Sequence, residues 1–286
     1  MAFAAGDAFG APWEGMAPEE LREADLTSVP RREGWPQGAT SDDTAQLILT
    51  ARVLCDGERD LQRRFIELLA AEFSQIRGSG PTTTTAVRRW QETALLGASD
   101  GGTNGAAMRA LPCGWATASA DAELRRVRVL SISSATHGAP GALIAAGTVA
   151  AIGSWALDRE PLQLICERAR AEADSLREML RADVDLAAIE AAAQGTWTPP
   201  ATGIPLDAIE TVAAVLYVLR RAEGLGDGIE GAVLLGGDTD TVAALVAGVL
   251  GARGADPAEL SWLGLVQLPD ASLIKALASG LAEKRG

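Results

Sequence analysis

Histidine and cysteine are scarce in this 286-residue chain. It has one histidine, His137, and three widely separated cysteines at positions 55, 113 and 166, with no Cys-x-x-Cys pair. Because structural and catalytic zinc sites are built mostly from these residue types, an ordinary zinc centre is excluded. Any reaction that needs a histidine must use His137. Few and unpaired cysteines also indicate a reducing compartment, so we expect a cytoplasmic protein.

Aromatic residues are also few, at 4% of the chain, and alanine and leucine make up much of its apolar content. A β-sandwich needs β-branched and aromatic side chains, so this composition argues against one. Alanine and leucine lose little on entering a helix, which favours a mostly helical protein. No clear linker divides residues 1–286. We therefore predict one all-α domain.

Basic residues are outnumbered by acidic ones, 25 to 38, which gives a net charge of −13. Such a charge repels nucleic acid and anionic membranes, so neither is an expected partner. No signal peptide is visible. The uncharged stretch 129–157 contains Pro140 and several small polar residues, and a buried helix is favoured over a membrane span. We expect a monomer.

The spacing of apolar residues predicts a series of helices. One begins at Ser41 or Asp42, which can act as an N-cap, and stops at Gly57. The double glycine Gly236–Gly237 follows a short apolar run, which also admits a strand–loop–helix interpretation. The other predicted helices span 18–24, 61–73, 82–96, 106–111, 120–134, 139–157, 160–180, 183–193, 206–222 and 242–250, with connectors at 16–40 and 195–205.

Two acidic segments stand out, each directly before an apolar helix: Thr40-Ser-Asp-Asp-Thr44 and Asp238-Thr-Asp-Thr241. Either one alone is most simply a helix N-cap. Together they supply more carboxylates than capping requires, and gathering four carboxylates is costly unless divalent cations neutralise them. Ligand sets made only of oxygen select hard ions such as Mg²⁺, Ca²⁺ or Mn²⁺. If the two helix starts converge, they predict a two-metal hydrolytic site.

Three further candidates are weaker on local sequence. The segment Gly102-Thr-Asn-Gly105 could turn backbone N–H groups toward a phosphate, but an ordinary turn is favoured. His137 lies at the start of a helix, where a structural role is the commoner one. Glu14 follows Trp13 in a loop, and is either an exposed acid or a carboxylate suited to proton transfer.

Five short segments, distributed over nearly the whole chain, together indicate a known family by their order. They are Gly6-Asp-Ala-Phe-Gly-Ala-Pro-Trp-Glu14, Ser41-Asp-Asp-Thr44, Asn104-Gly-Ala-Ala-Met-Arg109, Thr136-His-Gly138 and Gly236-Gly-Asp-Thr-Asp-Thr241. In that order they resemble the ADP-ribosylglycohydrolase family, which includes the dinitrogenase-reductase-activating glycohydrolases and the ADP-ribosylarginine and ADP-ribosylserine hydrolases. Each segment is weak alone, and the last is the most specific.

The resemblance implies a compact all-α fold, a single-domain orthogonal helical bundle, with a central dinuclear site for two Mg²⁺ ions, or Mn²⁺ in their place. Ser41 stands where many members have threonine, and only five residues precede Gly6 where the family has an extra helical stretch, so the first helix is expected to be short or clipped. The metal ligands that the resemblance implies are Ser41, Asp42, Asp43, Asp238, Asp240 and Thr241. The catalytic residues that it implies are Glu14, Asp43 and Asp240. The substrate-binding residues that it implies are Gly102, Thr103, Asn104, Gly105 and His137.

These observations predict a metal-dependent hydrolase that cleaves the glycosidic bond at ribose C1 of an ADP-ribosyl adduct, on a protein side chain or a small molecule, and releases ADP-ribose. Cleavage at C1 builds an oxocarbenium-like cation, as in other glycosidases. One alternative is a non-catalytic ADP-ribose-binding or structural protein on the same fold. Another is a metal-dependent phosphohydrolase that uses the same carboxylates.

Overall fold

The computed structural model describes residues 1–57, 59–98 and 100–285. These residues form α-helices and short 3₁₀ turns and contain no β-strand, which confirms the all-α prediction. One continuous apolar core includes residues from Ala2 to Leu281. The helices in the described residues are α1 (Ala2–Gly10), α2 (Pro18–Leu21), α3 (Asp42–Asp56), α4 (Leu61–Glu72), α5 (Pro81–Thr93), α6 (Leu111–Trp115), α7 (Ala122–Ser133), α8 (Pro140–Leu157), α9 (Leu162–Leu180), α10 (Ala187–Gln194), α11 (Ala208–Leu219), α12 (Leu225–Val233), α13 (Thr239–Ala252) and α14 (Ala271–Arg285).

Helix α8 is the buried helix expected from the uncharged stretch 129–157. It is long and apolar enough to cross a membrane, but 78% of it lies inside the protein. It packs against α6, α7, α9, α11 and α13. Small residues permit this close packing: a Cβ atom on Gly147 would lie 2.5 Å from Leu176 Cδ1. The absence of charge in this stretch therefore reflects burial among other helices, as a core helix requires.

Helices α1 and α13 pack so closely that their backbones touch. A Cβ atom on Gly6 would lie 2.4 Å from the Ala243 carbonyl oxygen, and one on Gly10 would lie 2.5 Å from the Thr239 carbonyl oxygen. All nine residues of α1 are buried. Because α1 is covered on every side, it lacks the one-sided apolar pattern by which a helix is predicted from sequence.

The predicted boundaries hold for some helices and fail for others. Helix α3 has Ser41 as its N-cap and ends at Gly57, whose φ of 72° is left-handed, as predicted. Helix α13 begins at Thr239 rather than at 242, so its first turn contains the acidic segment itself. Helix α12 ends at Val233, which makes the strand–loop–helix interpretation wrong. A short apolar run does not distinguish strand from helix, and here it packs against α13.

Candidate metal centre

The start of α3 is held by a carboxylate from α1. Ser41 Oγ accepts a hydrogen bond from the Asp43 N–H at 3.1 Å, so the capping interpretation is correct for Ser41. Asp7 Oδ2 accepts from the Ser41 N–H at 3.1 Å and from the Thr44 N–H at 3.0 Å. These bonds satisfy backbone donors that a helix start leaves free. Asp7 thereby fixes the position from which Asp42 and Asp43 project.

The start of α13 is set by the double glycine before it. Gly236 and Gly237 have φ values of 67° and 71°, which L side chains rarely adopt. The Gly237 N–H donates to the Met16 carbonyl, and the Asp238 N–H donates to the Ile204 carbonyl, each at 2.9 Å. A Cβ atom on Gly237 would lie 2.2 Å from the Ile204 oxygen. The turn is therefore held between the two long connectors, and it fixes the position of Asp238.

Asp238 occupies the N-cap position of α13 but makes no side-chain cap. Its Oδ2 accepts a short hydrogen bond from Asn104 Nδ2 instead. Asn104 Nδ2 also donates to Thr211 Oγ1 at 2.9 Å. A carboxylate at an N-cap normally accepts from the N–H groups of its own helix. The capping interpretation is thus wrong for Asp238, which is directed into the centre.

The two helix starts converge, as the two-metal hypothesis requires. Thr241 Oγ1 donates to the carboxylate of Asp43, at 3.1 Å to Oδ1 and 3.3 Å to Oδ2, across 198 positions of sequence. Oxygens of Asp7, Asp43 and Asp240 lie within 4.8 Å of one another, and so do oxygens of Glu14, Asp238 and Asp240. Asp240 belongs to both groups. The two oxygen clusters therefore share one carboxylate, an arrangement that could hold two adjacent cations.

The carboxylates of this centre are held away from water and close to one another. Burial, and then the charge of Asp7, raise the pKa of Asp42 to about 7. Burial raises the pKa of Asp238 to about 6. Burial and the neighbouring acids raise the pKa values of Asp43 and Asp240 well above the usual range. Crowded buried carboxylates hold protons unless a cation replaces them.

A narrow cavity of about 80 Å³ opens onto this centre. Its lining includes Asp42, Asp43, Asp238, Asp240 and Thr241, together with Glu14, Thr103, Asn104 and Gly105. Ser41 is not among the lining residues, and its hydroxyl donates to Asp43 Oδ2 at 3.0 Å. Gly102 is exposed and also lies outside the lining. The structure therefore brings most of the predicted site residues to one cavity.

Two other cavities help to locate the site. One of about 250 Å³ shares Pro81 and Thr82 with the acidic cavity and is also lined by Arg89. Another, of about 590 Å³, lies between α1, α3, α13 and α14, and no acidic residue lines it. An apolar lining offers no group for hydrolysis. The chemistry of the chain therefore points to the smaller, acidic cavity and its neighbour.

At the rim, Glu14 is paired with a residue of the connector 16–40. Arg32 Nη1 lies 2.6 Å from Glu14 Oε2 and also donates to the Ala11 carbonyl at 3.2 Å. Its guanidinium packs over the ring of Trp35, 4.3 Å from the ring centroid. Sequence analysis did not single out Arg32. The contact is between the first motif and a connector of irregular sequence, so no spacing pattern signals it.

His137 lies behind the cavity wall and is fully buried. Its Nε2 is 3.0 Å from Thr103 Oγ1, and its Nδ1 is 2.7 Å from Thr136 Oγ1. Burial, and then the charge of Arg109, lower the pKa of His137 to about 3. The ring is therefore neutral at physiological pH, and within the described part of the chain its contact with the site passes through Thr103.

The glycine-rich loop contributes side chains more than free backbone donors. The Asn104 N–H donates to the Leu206 carbonyl at 2.9 Å, so it is not available to a phosphate. The side chains of Thr103 and Asn104 face the cavity. A Cβ atom on Gly105 would lie 2.7 Å from His137 Cε1, so this glycine serves close packing. The hypothesis of a backbone phosphate cradle is wrong at Asn104.

Sequence analysis missed Asp7 as a member of the centre, although it lies in the first quoted motif. A signal was present, because Asp7 is the one charged residue in an otherwise apolar stretch, Ala2–Gly10. A lone carboxylate in a wholly buried helix must be bonded or compensated. Burial raises the pKa of Asp7, opposed by its hydrogen bonds to Thr44 and Ser41.

Comparison with known proteins identifies the family of the chain. An uncharacterised protein of Archaeoglobus fulgidus is 27% identical over an alignment of 300 residues, which spans 99% of this chain and 94% of that protein. A solved structure described as an ADP-ribosylglycohydrolase-related protein complex is 27% identical, superposes with a TM-score of 0.79, and is matched over 100% of this chain and 95% of its own. The family model for ADP-ribosylglycohydrolase matches residues 1–286. The chain belongs to the ADP-ribosylglycohydrolase family.

Proposed function

We propose that this protein is an Mg²⁺-dependent hydrolase that cleaves the bond at ribose C1 of ADP-ribosyl adducts and releases intact ADP-ribose. The observation that carries the proposal is the pair of carboxylate clusters that share Asp240 beside a narrow cavity. Family membership supports glycohydrolase activity in general. The adduct is on a protein side chain or a small molecule, and we place the reaction in the cytoplasm.

The residues present fit two hard cations. The donor atoms are carboxylate oxygens of Asp7, Asp43, Asp240, Glu14 and Asp238, and oxygen ligands select Mg²⁺ or Mn²⁺. The raised pKa values of Asp42 and Asp238 are those of carboxylates that lack a counter-charge. Of the donor residues, Asp43, Asp238 and Asp240 are proposed to hold the ions, together with Asp42 and Thr241, which line the same cavity. Ser41 and Asp7 support them, and Glu14 is reserved for proton transfer. When bound, the ions would neutralise these carboxylates and polarise the sugar hydroxyls.

Side chains of the protein supply the base, the charge stabilisation and the substrate contacts. Glu14 lies at the rim of the cavity and is partly open to solvent, so it is placed to accept a proton from an attacking water. The carboxylates of Asp43 and Asp240 stabilise positive charge that develops at C1 as the bond breaks. The side chains of Thr103 and Asn104 hold the ribose and diphosphate. As the bond to C1 breaks, the water supplies the hydroxyl at C1 of ADP-ribose, and the proton taken up by Glu14 passes to the leaving nitrogen or oxygen, which keeps the bonding electron pair.

The adjoining cavity gives room for the rest of the nucleotide. It shares Thr82 with the acidic cavity, and the Arg89 side chain lines it. Arg89 Nε is buried and has no hydrogen-bond partner within the described residues. A buried donor without a partner costs free energy that a ligand would recover.

We expect Arg89→Gln to raise KM for an ADP-ribosyl substrate about 10-fold with little change in kcat, as measured by steady-state kinetics.

The proposal is tested with ADP-ribosyl-arginine, ADP-ribosyl-serine peptide and O-acetyl-ADP-ribose, each with Mg²⁺ and with EDTA. We expect one of them to release intact ADP-ribose only when Mg²⁺ is present, as resolved by chromatography. Calorimetric binding of ADP-ribose without turnover of any adduct would favour a binding or structural protein. Release of AMP or phosphate would favour a phosphohydrolase. Full activity in EDTA would contradict the two-metal proposal.

The stability of the metal-free protein is expected to fall as pH rises. The folded-state pKa is raised from 3.8 to about 7 for Asp42 and to about 6 for Asp238. A raised pKa means that the folded state binds the proton more tightly, so the stabilisation is complete below pH 4 and lost through pH 6–7. In EDTA the thermal midpoint should therefore decrease between about pH 4.5 and 7.5, and saturating Mg²⁺ should remove the decrease.

The matched control for this titration is Asp42→Asn, which removes one of the carboxyl groups whose pKa is raised. Its thermal midpoint in EDTA should depend less on pH than that of the wild type. A midpoint in EDTA that rises steadily through this range in the wild type would contradict the assignment of the raised pKa values to this cluster.

A further inference from the structure

A buried arginine without a carboxylate partner lies behind the site. Arg109 is 1% exposed, packs over Phe65 at 4.3 Å from the ring centroid, and makes no ion pair among the described residues. Its Nη1 donates to Gln46 Oε1 at 2.7 Å and to the Gly105 carbonyl at 2.9 Å. Its Nη2 donates to Thr136 Oγ1 at 2.6 Å. A buried charge bonded only to neutral acceptors is costly, so a role for that charge is expected.

One branch of this network leads to the acidic cluster. Gln46 Nε2 donates to Asp42 Oδ2 at 2.7 Å. A guanidinium can only donate hydrogen bonds, so Arg109 requires the oxygen of Gln46 to face it. The amide nitrogen of Gln46 must then face Asp42. The cation thus sets the orientation of the amide, and the amide holds Asp42 Oδ2 in place.

The second branch leads to Thr103 and Thr82, which also line the cavity. Thr136 Oγ1 accepts from Arg109, and its own proton needs an acceptor, which His137 Nδ1 supplies at 2.7 Å. If Nδ1 carried the proton instead, the buried hydroxyl proton of Thr136 would have no acceptor among the described residues. The remaining ring proton is therefore on Nε2, which donates to Thr103 Oγ1 at 3.0 Å. Thr103 Oγ1 in turn donates to Thr82 Oγ1 at 3.2 Å.

We propose that Arg109 is a positioning residue that fixes the direction of hydrogen bonding at the site, so that Asp42 is held as an acceptor, while Thr103 donates to Thr82 and leaves the hydroxyl proton of Thr82 for a ligand. The inference rests on the proposed function, because a hydroxyl that can donate at Thr82, which lines both cavities, suits an anionic diphosphate oxygen beside a cluster of carboxylates. Repulsion between these carboxylates and a diphosphate must be offset by donors. Arg109 offsets it through Thr136 and His137, without a direct contact.

The single histidine makes the tautomer directly measurable. In untagged protein labelled with ¹⁵N, the two imidazole nitrogens of His137 should report protonated Nε2 and unprotonated Nδ1 between pH 5.5 and 8. Thr136→Val removes the hydroxyl that donates to Nδ1 and should shift or broaden these signals. A protonated Nδ1 in the wild type would overturn the proposal, whether or not the protein is a hydrolase.

Binding measurements separate the two branches. Thr136→Val should weaken binding of ADP-ribose to Mg²⁺-loaded protein about 10-fold, with Mn²⁺ affinity within about 2-fold of the wild type. Gln46→Met should weaken Mn²⁺ binding about 10-fold or more, as loss of a residue that orients a metal ligand does. Arg109→Lys should weaken both, since a lysine cannot reproduce the planar fork. Calorimetry measures both affinities.

Arg125→Lys is the matched control for Arg109→Lys. Arg125 is also buried, at 1% exposure, and packs near Trp155, but it pairs with Glu172 away from the site. It should leave both affinities and the His137 signals unchanged. Equal losses in the two lysine variants, or wild-type binding in Thr136→Val and Gln46→Met, would overturn the proposal. If the wild type does not bind ADP-ribose, the proposed function fails, while the histidine signals still decide the hydrogen-bond direction.

Discussion

Asp240→Asn is expected to lower turnover of an ADP-ribosyl substrate by more than about 100-fold, and EDTA is expected to do the same to the wild type. Asp240 is the carboxylate that the two oxygen clusters share, so its neutralisation weakens both proposed cation positions. It is 4% exposed and lies in the first turn of α13. An amide there keeps the shape of the side chain and removes one negative charge.

The same variant separates loss of function from loss of folding. Asp240 has a raised pKa because of burial and the charges of Asp43 and Asp238, so removal of its charge relieves repulsion in the metal-free protein. In EDTA the thermal midpoint of Asp240→Asn should equal or exceed that of the wild type. The increase that Mg²⁺ causes in the wild type should be absent or much smaller.

Asp121→Asn is the control, because Asp121 caps α7 at an exposed position and asparagine caps a helix equally well. It should keep full activity and the full response to Mg²⁺. Turnover by Asp240→Asn within about 2-fold of the wild type would contradict the two-metal assignment.

Gly10→Ala is the second substitution with a large expected effect, and it acts through packing. The added Cβ atom would lie 2.5 Å from the Thr239 carbonyl oxygen and 2.6 Å from Asp240 Cα. Neither backbone atom can move without a shift of α1 or α13. We expect a cost of about 3 kcal/mol or more, at the upper end for overpacking, and a fall in thermal midpoint of roughly 6 °C or more.

The displacement should also reach the proposed metal centre, since Asp240 begins the helix that must shift. Mn²⁺ affinity, measured by calorimetry at a temperature where the variant is folded, should fall about 10-fold or more. Gly264→Ala is the matched control, because a Cβ atom there has no neighbour within 4 Å. It should change stability by less than about 0.5 kcal/mol. Unchanged metal affinity and stability in Gly10→Ala would show that the close approach of α1 and α13 is not required.

Much of the local structure could be predicted from the sequence because it depends on neighbouring residues. Ser41 and Gly57 bound α3 as capping chemistry requires. The uncharged stretch before Leu157 forms the buried helix α8. Helix α1 escaped prediction for the opposite reason, since its burial comes from α13, more than 200 positions away in the chain.

The sequence by itself determined which residues could supply the chemistry: one histidine, few cysteines, and two segments with aspartates beside hydroxyl groups. These are properties of composition and short spacing, and no folding is needed to state them. Only the tertiary structure decided that Asp43 contacts Thr241 and that Asp7 joins their cluster. It also decided that Arg109 donates hydrogen bonds to both Gln46 and Thr136. The physical reason is that such contacts depend on how closely helices approach, which glycines such as Gly6 and Gly10 permit and which no local pattern encodes.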